Sequence, residues 1–126
     1  MSSCSVISIV DDDDDVRVSL GSLLRSCGYT ILLFDCAEQF LESGQAAATD
    51  CLISDIQMPG MSGLGMFENL VSQGVHLPVI FITASVDPAM RLAAQRLGAA
   101  AYLMKPFDGA PLLACIETAL SFPTPR

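Results

Sequence analysis

The chain has 126 residues, of which 52% are apolar, and a formal net charge of −8 from 14 acidic and 6 basic side chains. This length suits a single domain with one core, so we expect one unit over residues 1–126. The acidic balance disfavours direct nucleic-acid binding, which relies on Lys and Arg to neutralise phosphates, so none is expected. No apolar stretch is long enough to cross a bilayer, so no membrane association is expected.

Five short apolar runs alternate with five helical patterns. In chain order the runs read SVISIV, YTILLF, CLIS, PVIFIT and AAYLM. They are rich in Val, Ile and Leu without strict alternation, which is typical of strands buried on both faces. The alternation of strand and helix predicts an α/β fold, a doubly wound parallel sheet with right-handed crossovers and helices on both faces.

Capping residues predict where the helices begin and end. The first helix ends at Gly28, and the second begins at Asp35 with Glu38 in a capping-box relation. Ser62 and Asp87 are predicted to cap the third and fourth helices. Apolar residues at helical spacing predict which face of each helix is buried. The first helix has Val16, Leu20, Leu23, Leu24 and Cys27, and the second has Ala37, Phe40 and Leu41. The third has Leu64, Phe67 and Val71, and the last has Leu112 or Leu113 with Ile116 and Leu120.

Reactive side chains follow four of the predicted strands. Asp11 and Asp12 follow the first strand, and Asp55 ends the third. Thr83 ends the fourth strand, and Lys105 follows the fifth. Because ligands of open α/β sheets bind outside the carboxyl ends of the strands, we expect three carboxylates, a hydroxyl and an ammonium to meet at one edge.

The run Asp11–Asp15 requires a compensating interaction, because crowded carboxylates repel one another. Water, a cation or a capped helix could supply it, and we favour a cation for Asp11 and Asp12 because they lie at a strand end opposite Asp55. The other three aspartates are assigned to the start of the first helix, where acidic side chains interact favourably with the helix dipole.

Four stretches resemble the receiver domain of two-component response regulators, and the similarity to that domain extends over nearly the whole chain. They are IVDDD, SDIQMPGMSGLGMFENL, PVIFITA and YLMKPF. Within that family, VIFITA and KPF are most similar to the receivers of nitrogen-fixation-type transcriptional regulators. The resemblance implies a flavodoxin-like five-stranded sheet in the order 2-1-3-4-5, and a phosphorylation-dependent signalling switch.

The resemblance also implies roles for individual residues. Asp55 would accept a phosphoryl group from a histidine kinase or phosphorelay protein, and Lys105 and Thr83 would contact the phosphoryl oxygens. Tyr102 occupies the position of the family's switch aromatic and would respond together with Thr83. Such a protein catalyses its own phosphorylation and dephosphorylation without being a conventional enzyme. The implied ligands of Mg²⁺ or Mn²⁺ are Asp12 and Asp55 directly, Asp11 through water, and the backbone carbonyl of Gln57.

The implied partners are a phosphodonor protein and either an output domain or a separate effector. The output domain is expected to be absent or removed, with residues 122–126 a frayed tail. The surface of the fourth helix, fifth strand and last helix would change on phosphorylation. A homodimer through that surface is left open, as an apolar rather than a salt-bridged contact, because Ala99, Ala100 and Ala101 precede Tyr102.

Further expectations concern the compartment and two competing functions. The five cysteines are scattered without a C-x-x-C pair, and the start of the chain lacks a signal-peptide pattern, so reduced thiols in a cytoplasmic protein are expected. One alternative function is a haloacid-dehalogenase-like phosphatase, because Asp12–Val16 fits the D-x-D-x-V pattern with Asp12 as nucleophile and Asp14 as acid. Another is a pseudo-receiver that binds partners without phosphorylation.

Overall fold

The computed structural model describes residues 5–84, 87–105 and 109–121, so the predicted frayed tail lies outside the described residues. Strands and helices alternate along the chain, as predicted. The strands are β1 Val6–Val10, β2 Thr30–Phe34, β3 Cys51–Asp55, β4 Val79–Thr83 and β5 Ala101–Met104. The helices are α1 Asp14–Ser26, α2 Ala37–Ser43, α3 Gly63–Ser72, α4 Pro88–Leu97 and α5 Gly109–Ser121, and a 3-10 helix that was not predicted spans Gln45–Ala48.

The five strands form one parallel sheet in the order β2-β1-β3-β4-β5, which confirms the predicted fold class. The register places Asp55 opposite Ile82, and Thr83 opposite Met104. The carboxyl ends of β3, β4 and β5 therefore lie side by side. Within the described residues, no helix is both long and apolar enough to span a bilayer.

Two hydrophobic cores lie on opposite faces of the sheet, because successive side chains of a strand point to opposite sides. In β4, Ile80 and Ile82 face one core while Val79 and Phe81 face the other. We call the first the aliphatic core; its large buried members are Ile7, Ile9, Leu20, Leu24, Ile31, Ile53, Ile80, Ile82, Leu112 and Ile116. We call the second the aromatic core; it contains Phe34, Phe40, Met58, Met66, Phe67 and Phe81. Helices α1 and α5 cover the aliphatic core, and α2, α3 and α4 cover the aromatic core.

The predicted start of the second helix is wrong by one residue. Cys36, not Asp35, has the extended backbone of an N-cap, and its Sγ accepts a hydrogen bond from the N–H of Gln39 at 3.4 Å. The Gln39 side chain in turn accepts from the N–H of Asp35 at 3.0 Å. A thiol thus replaces the usual hydroxyl, and Glu38 is left to contact another part of the chain. The predicted caps Ser62 and Asp87 are confirmed, as is the end of α1 at Gly28.

The predicted buried face of α3 is partly wrong. Val71 is 46% exposed, whereas Met66 and Leu70 are buried with Phe67. The sequence carries two overlapping apolar stripes, and the position of the helix on the sheet selects one of them. In α5, Leu112 rather than Leu113 is the fully buried residue.

Candidate functional site

The carboxyl edge of the sheet brings together the three predicted carboxylates. One oxygen from each of Asp11, Asp12 and Asp55 lies within 4.8 Å of the other two. Asp11 is fully buried and Asp55 is 7% exposed, whereas Asp12 is open to solvent. This arrangement combines an inner pair of acids with an outer acid that solvent can reach.

Lys105 bridges the inner pair. Its Nζ lies 3.0 Å from Asp11 Oδ2 and 3.0 Å from Asp55 Oδ2. The backbone N–H of Lys105 also donates to the Thr83 carbonyl at 2.7 Å, which fixes the start of its side chain beside β4. The ammonium therefore balances part of the negative charge at this edge.

Backbone N–H groups bind both acids of the inner pair, and burial shifts the pKa of Asp11. The N–H of Asp13 donates to Asp11 Oδ1 at 2.9 Å, and the N–H of Gln57 donates to Asp55 Oδ1 at 3.2 Å. Burial raises the pKa of Asp11 above its ordinary value, even though the hydrogen bond from Asp13 and the charge of Lys105 both lower it. For Lys105, burial lowers the pKa, but the bonds and charges of Asp55 and Asp11 outweigh it, so the pKa is raised and the ammonium is favoured.

The chemistry of this donor set fits a divalent cation such as Mg²⁺. Hard cations of this kind take oxygen ligands, with one or two carboxylates and several waters completing the shell. The converging oxygens of Asp11, Asp12 and Asp55 provide such ligands. Gln57 is held beside them through its N–H bond to Asp55, so its backbone carbonyl belongs to the same loop.

Arg17 is a residue of this edge that sequence reasoning missed. Its guanidinium forms an ion pair with Asp14 and donates to the backbone carbonyl of Asp11. Its side chain is only 15% exposed. The three-residue spacing from Asp14 was the available signal, because residues at i and i+3 are neighbours on a helix. Arg17 therefore explains part of how the aspartate run is tolerated.

Asp13, Asp14 and Asp15 lie at the start of α1. Asp13 is the N-cap, and its carboxylate accepts from the N–H groups of Asp15 and Val16. Asp14 lies in the first turn with its side chain 82% exposed, and it is not among the clustered carboxylates. A phosphatase that uses Asp12 and Asp14 as a pair is therefore not favoured by the geometry.

Thr83 and Tyr102 occupy adjacent strands behind the carboxylates. Thr83 is fully buried at the end of β4. Tyr102 of β5 lies opposite Phe81 of β4 and packs against the aromatic core. The Arg91 guanidinium is 5.8 Å from the centroid of its ring. Its hydroxyl is buried and has no hydrogen-bond partner among the described residues. Burial raises the pKa of Tyr102, with Arg91 acting in the opposite direction.

Proteins similar to this chain are regulators. The transcriptional regulatory protein FixJ of Azorhizobium caulinodans is 39% identical over 114 residues, which are 90% of this chain and 54% of that protein. The response regulator protein TmoT of Ectopseudomonas mendocina is 43% identical over 116 residues, 92% of this chain and 53% of that protein. The chain thus spans about half the length of the curated relatives it matches.

Solved structures and a family comparison give the same result. The crystal structure of FixJ-N covers 100% of both chains with 31% identity and a TM-score of 0.87. The structure of the response regulator StyR has 41% identity and a TM-score of 0.88, and covers 94% of this chain and 60% of that one. The family described as the response regulator receiver domain matches residues 7–117. With this match and these relatives, the chain belongs to the response regulator receiver domain family of two-component signalling.

Proposed function

We propose that Asp55 is the phosphoacceptor of this receiver domain. The observation that carries the proposal is the position of its carboxylate, which contacts the Lys105 ammonium and lies within 4.8 Å of the acids Asp11 and Asp12, with the side chain 10% exposed. A carboxylate attacks phosphorus only when nearby positive charge offsets the charge of the phosphoryl group. Membership in the family and the local geometry both support this assignment.

The transfer exchanges one bond to phosphorus for another. A carboxylate oxygen of Asp55 forms a P–O bond as the P–N bond of a phosphohistidine breaks, and the electron pair of that bond stays on the imidazole nitrogen. The product is an acyl phosphate. In the reverse direction of signalling, a water oxygen attacks phosphorus, the bond to Asp55 breaks, and the carboxylate and inorganic phosphate are released. Lys105 would pair with one phosphoryl oxygen, and Thr83 would donate to another.

We also propose that Mg²⁺, or Mn²⁺ in its place, is the metal of this site. Asp12, Asp55 and the Gln57 carbonyl would hold it, with Asp11 acting through water. When bound, the cation supplies positive charge beside the attacking and transferred oxygens. Lys105 cannot neutralise the site alone, because a single ammonium faces three carboxylates.

The proposed switch runs from Asp55 through Thr83 to Tyr102. Phosphorylation adds negative charge and acceptor oxygens, which favour a hydrogen bond from Thr83. Tyr102 lies in the strand next to that of Thr83, opposite Phe81, and contacts Arg91 of α4, so its rearrangement would alter the surface of α4, β5 and α5. This altered surface would control an output domain or a separate effector in the cytoplasm. Formation of a homodimer through the same surface is one form that such control can take.

A cleft beside the site supports docking of a protein phosphodonor, which we propose is a histidine kinase or phosphotransfer protein. The cleft has a volume of about 530 Å³ and opens next to Lys105, between the start of α5 and the apolar side chains Val16, Leu20 and Leu23 of α1. An apolar patch rimmed by polar groups is typical of a protein docking surface.

The experiment that tests the proposal is an intact-mass spectrum after incubation with acetyl phosphate, with and without Mg²⁺. We expect one phosphoryl adduct that requires Mg²⁺ and is absent in Asp55→Asn. Asp50→Asn is the matched control, because Asp50 is an exposed acid at the other end of the same strand. It should be phosphorylated like the unchanged protein.

Two results would contradict the proposal. An unchanged protein that takes up no phosphoryl group under any condition would favour a pseudo-receiver. An adduct that persists in Asp55→Asn would place the acceptor elsewhere, with Asp12 the first residue to examine.

A further inference from the structure

We infer that Glu38 is a positioning residue for the phosphoacceptor site and holds the loop that follows Asp55. Glu38 lies in the first turn of α2, 23 residues before Met61 in the loop. Its Oε2 accepts a hydrogen bond from the Met61 N–H at 3.1 Å. The inference rests on the proposed function, because it gives Glu38 a part in metal binding at the same site.

The same carboxylate lies against the backbone of Gly60. A Cβ atom at Gly60 would lie 2.7 Å from Glu38 Oε2, which is closer than real Cβ contacts allow. Gly60 also has a φ of +80°, a conformation that favours glycine. Glu38 therefore lies beside two successive residues of the loop, since it accepts from the N–H of Met61 and occupies the space that a Cβ atom of residue 60 would need.

The opposite end of the loop is closed by the backbone itself. The N–H of Gly63 donates to the carbonyl of Ile56 at 2.8 Å, and Ile56 and Met58 are buried in the aromatic core. Gln57 is the exposed residue between these anchors, and its N–H bonds to Asp55. The loop is thus held at its base by the backbone and at its tip by Glu38, with the proposed metal-ligand carbonyl of Gln57 between the two.

Glu38 acts from a fixed support. Ala37 and Phe40, on either side of it in α2, are fully buried, and the Phe40 ring packs edge-on against Phe34 with centroids 5.1 Å apart. The Cys36 thiol caps the helix at its first turn. A charged acceptor on a rigid helix forms a stronger bond to an N–H than a neutral acceptor does, so it can hold the tip of the loop in place.

The test compares Glu38→Ala and Glu38→Gln with Glu42→Ala in the intact chain. Calorimetric titration with Mg²⁺ gives the dissociation constant, and hydrogen exchange followed by NMR reports on the Met61 amide. Glu38→Ala should weaken Mg²⁺ binding by about tenfold, a typical loss when an outer partner of a metal ligand is removed. Its Met61 amide should also exchange faster. Glu38→Gln keeps an acceptor oxygen and should restore most of both. Glu42 is exposed one turn further along α2, so Glu42→Ala matches the charge change and should alter neither.

Three results would overturn the inference. The first is Mg²⁺ affinity in Glu38→Ala within twofold of the unchanged protein. The second is an equal loss in Glu38→Ala and Glu38→Gln, which would indicate a charge effect without positioning. The third is an unchanged protein that neither binds Mg²⁺ nor accepts a phosphoryl group, and this result alone would also refute the proposed function.

Discussion

Cys51 and Lys105 lie near opposite ends of β3, and burial favours the neutral form of both, yet only Cys51 stays neutral. At the amino end, burial raises the pKa of the Cys51 thiol to about 12, with smaller contributions from Asp50 and Cys115, so the group stays neutral. At the carboxyl end, Lys105 is also partly buried, yet Asp55 and Asp11 raise its pKa and keep it charged. Only about five residues separate the two environments.

This difference shows how one sheet can be both stable and reactive. The middle and the amino end of each strand bury apolar side chains, which provide the main stabilising free energy of folding. The carboxyl edge gathers like charges, which oppose folding until a counter-charge is present. Substitutions in the core should therefore lower the free energy of unfolding equally with and without Mg²⁺. The effect of substitutions at the carboxyl edge should depend on Mg²⁺.

The largest effect on stability is expected from Ile53→Ala, in the middle of β3. Ile53 is fully buried in the aliphatic core, so the substitution removes three methyl or methylene groups and leaves a cavity. We expect a loss of about 3 kcal/mol in the free energy of unfolding, measured by urea denaturation, with no dependence on Mg²⁺. Val18→Ala on the surface of α1 is the control and should change it by less than about 0.5 kcal/mol.

A smaller effect, with a different signature, is expected from Lys105→Met. The substitution leaves the buried acids Asp11 and Asp55 facing each other without the ammonium. Without Mg²⁺, the free energy of unfolding should fall by about 2 kcal/mol, less than for a fully buried pair because the Lys105 side chain is 20% exposed. Saturating Mg²⁺ should recover most of that loss. A deficit that Mg²⁺ leaves unchanged would argue that Lys105 serves packing rather than charge balance.

Mg²⁺ itself should stabilise the folded chain by mass action. At a concentration ten times the dissociation constant, the free energy of unfolding should rise by about 1.4 kcal/mol, because only the folded state gathers the ligands. Asp12→Ala removes the exposed carboxylate of the cluster and should abolish this increase. An equal increase in both proteins, measured as the shift in melting temperature, would contradict the proposed metal site.

The smallest effect concerns pH at the amino end of β3. The ordinary pKa of the Cys51 thiol is 9.0, and folding raises it. The unfolded chain therefore loses the thiol proton first as pH rises above 9. The folded state should therefore lose about 1 kcal/mol of stability between pH 9 and pH 10 on account of this group. Lys105 also contributes to the stability of the folded state, but through its ion pairs with Asp55 and Asp11. Because these raise its pKa, this contribution is complete below its ordinary pKa of 10.5 and is lost at higher pH. Denaturation curves of Cys51→Ala over the same pH interval should show a correspondingly shallower decline, and an identical decline would contradict the neutral thiol.

Much of the fold followed from patterns that are local in the chain. Apolar runs and capping residues such as Ser62 and Asp87 predicted the elements, because helix and strand periodicity depends on near neighbours. The helix start at Asp35 was wrong because a thiol at Cys36 served as the cap, a use that sequence preferences rarely indicate. The prediction that Val71 is buried was wrong because either apolar stripe of α3 satisfies the helical period, and only docking on the sheet decides between them.

The sequence by itself determined that four strands carry reactive groups at their ends, and that Asp11, Asp12 and Asp55 belong to one edge of a parallel sheet. Only the tertiary structure decided the particular contacts between distant residues that hold that edge in place. Lys105 lies between two acids that precede it by 94 and 50 residues, and Glu38 holds the backbone at Met61 from another helix. Such contacts depend on the order of the strands and the docking of the helices, and no periodicity within a short stretch of sequence contains that information.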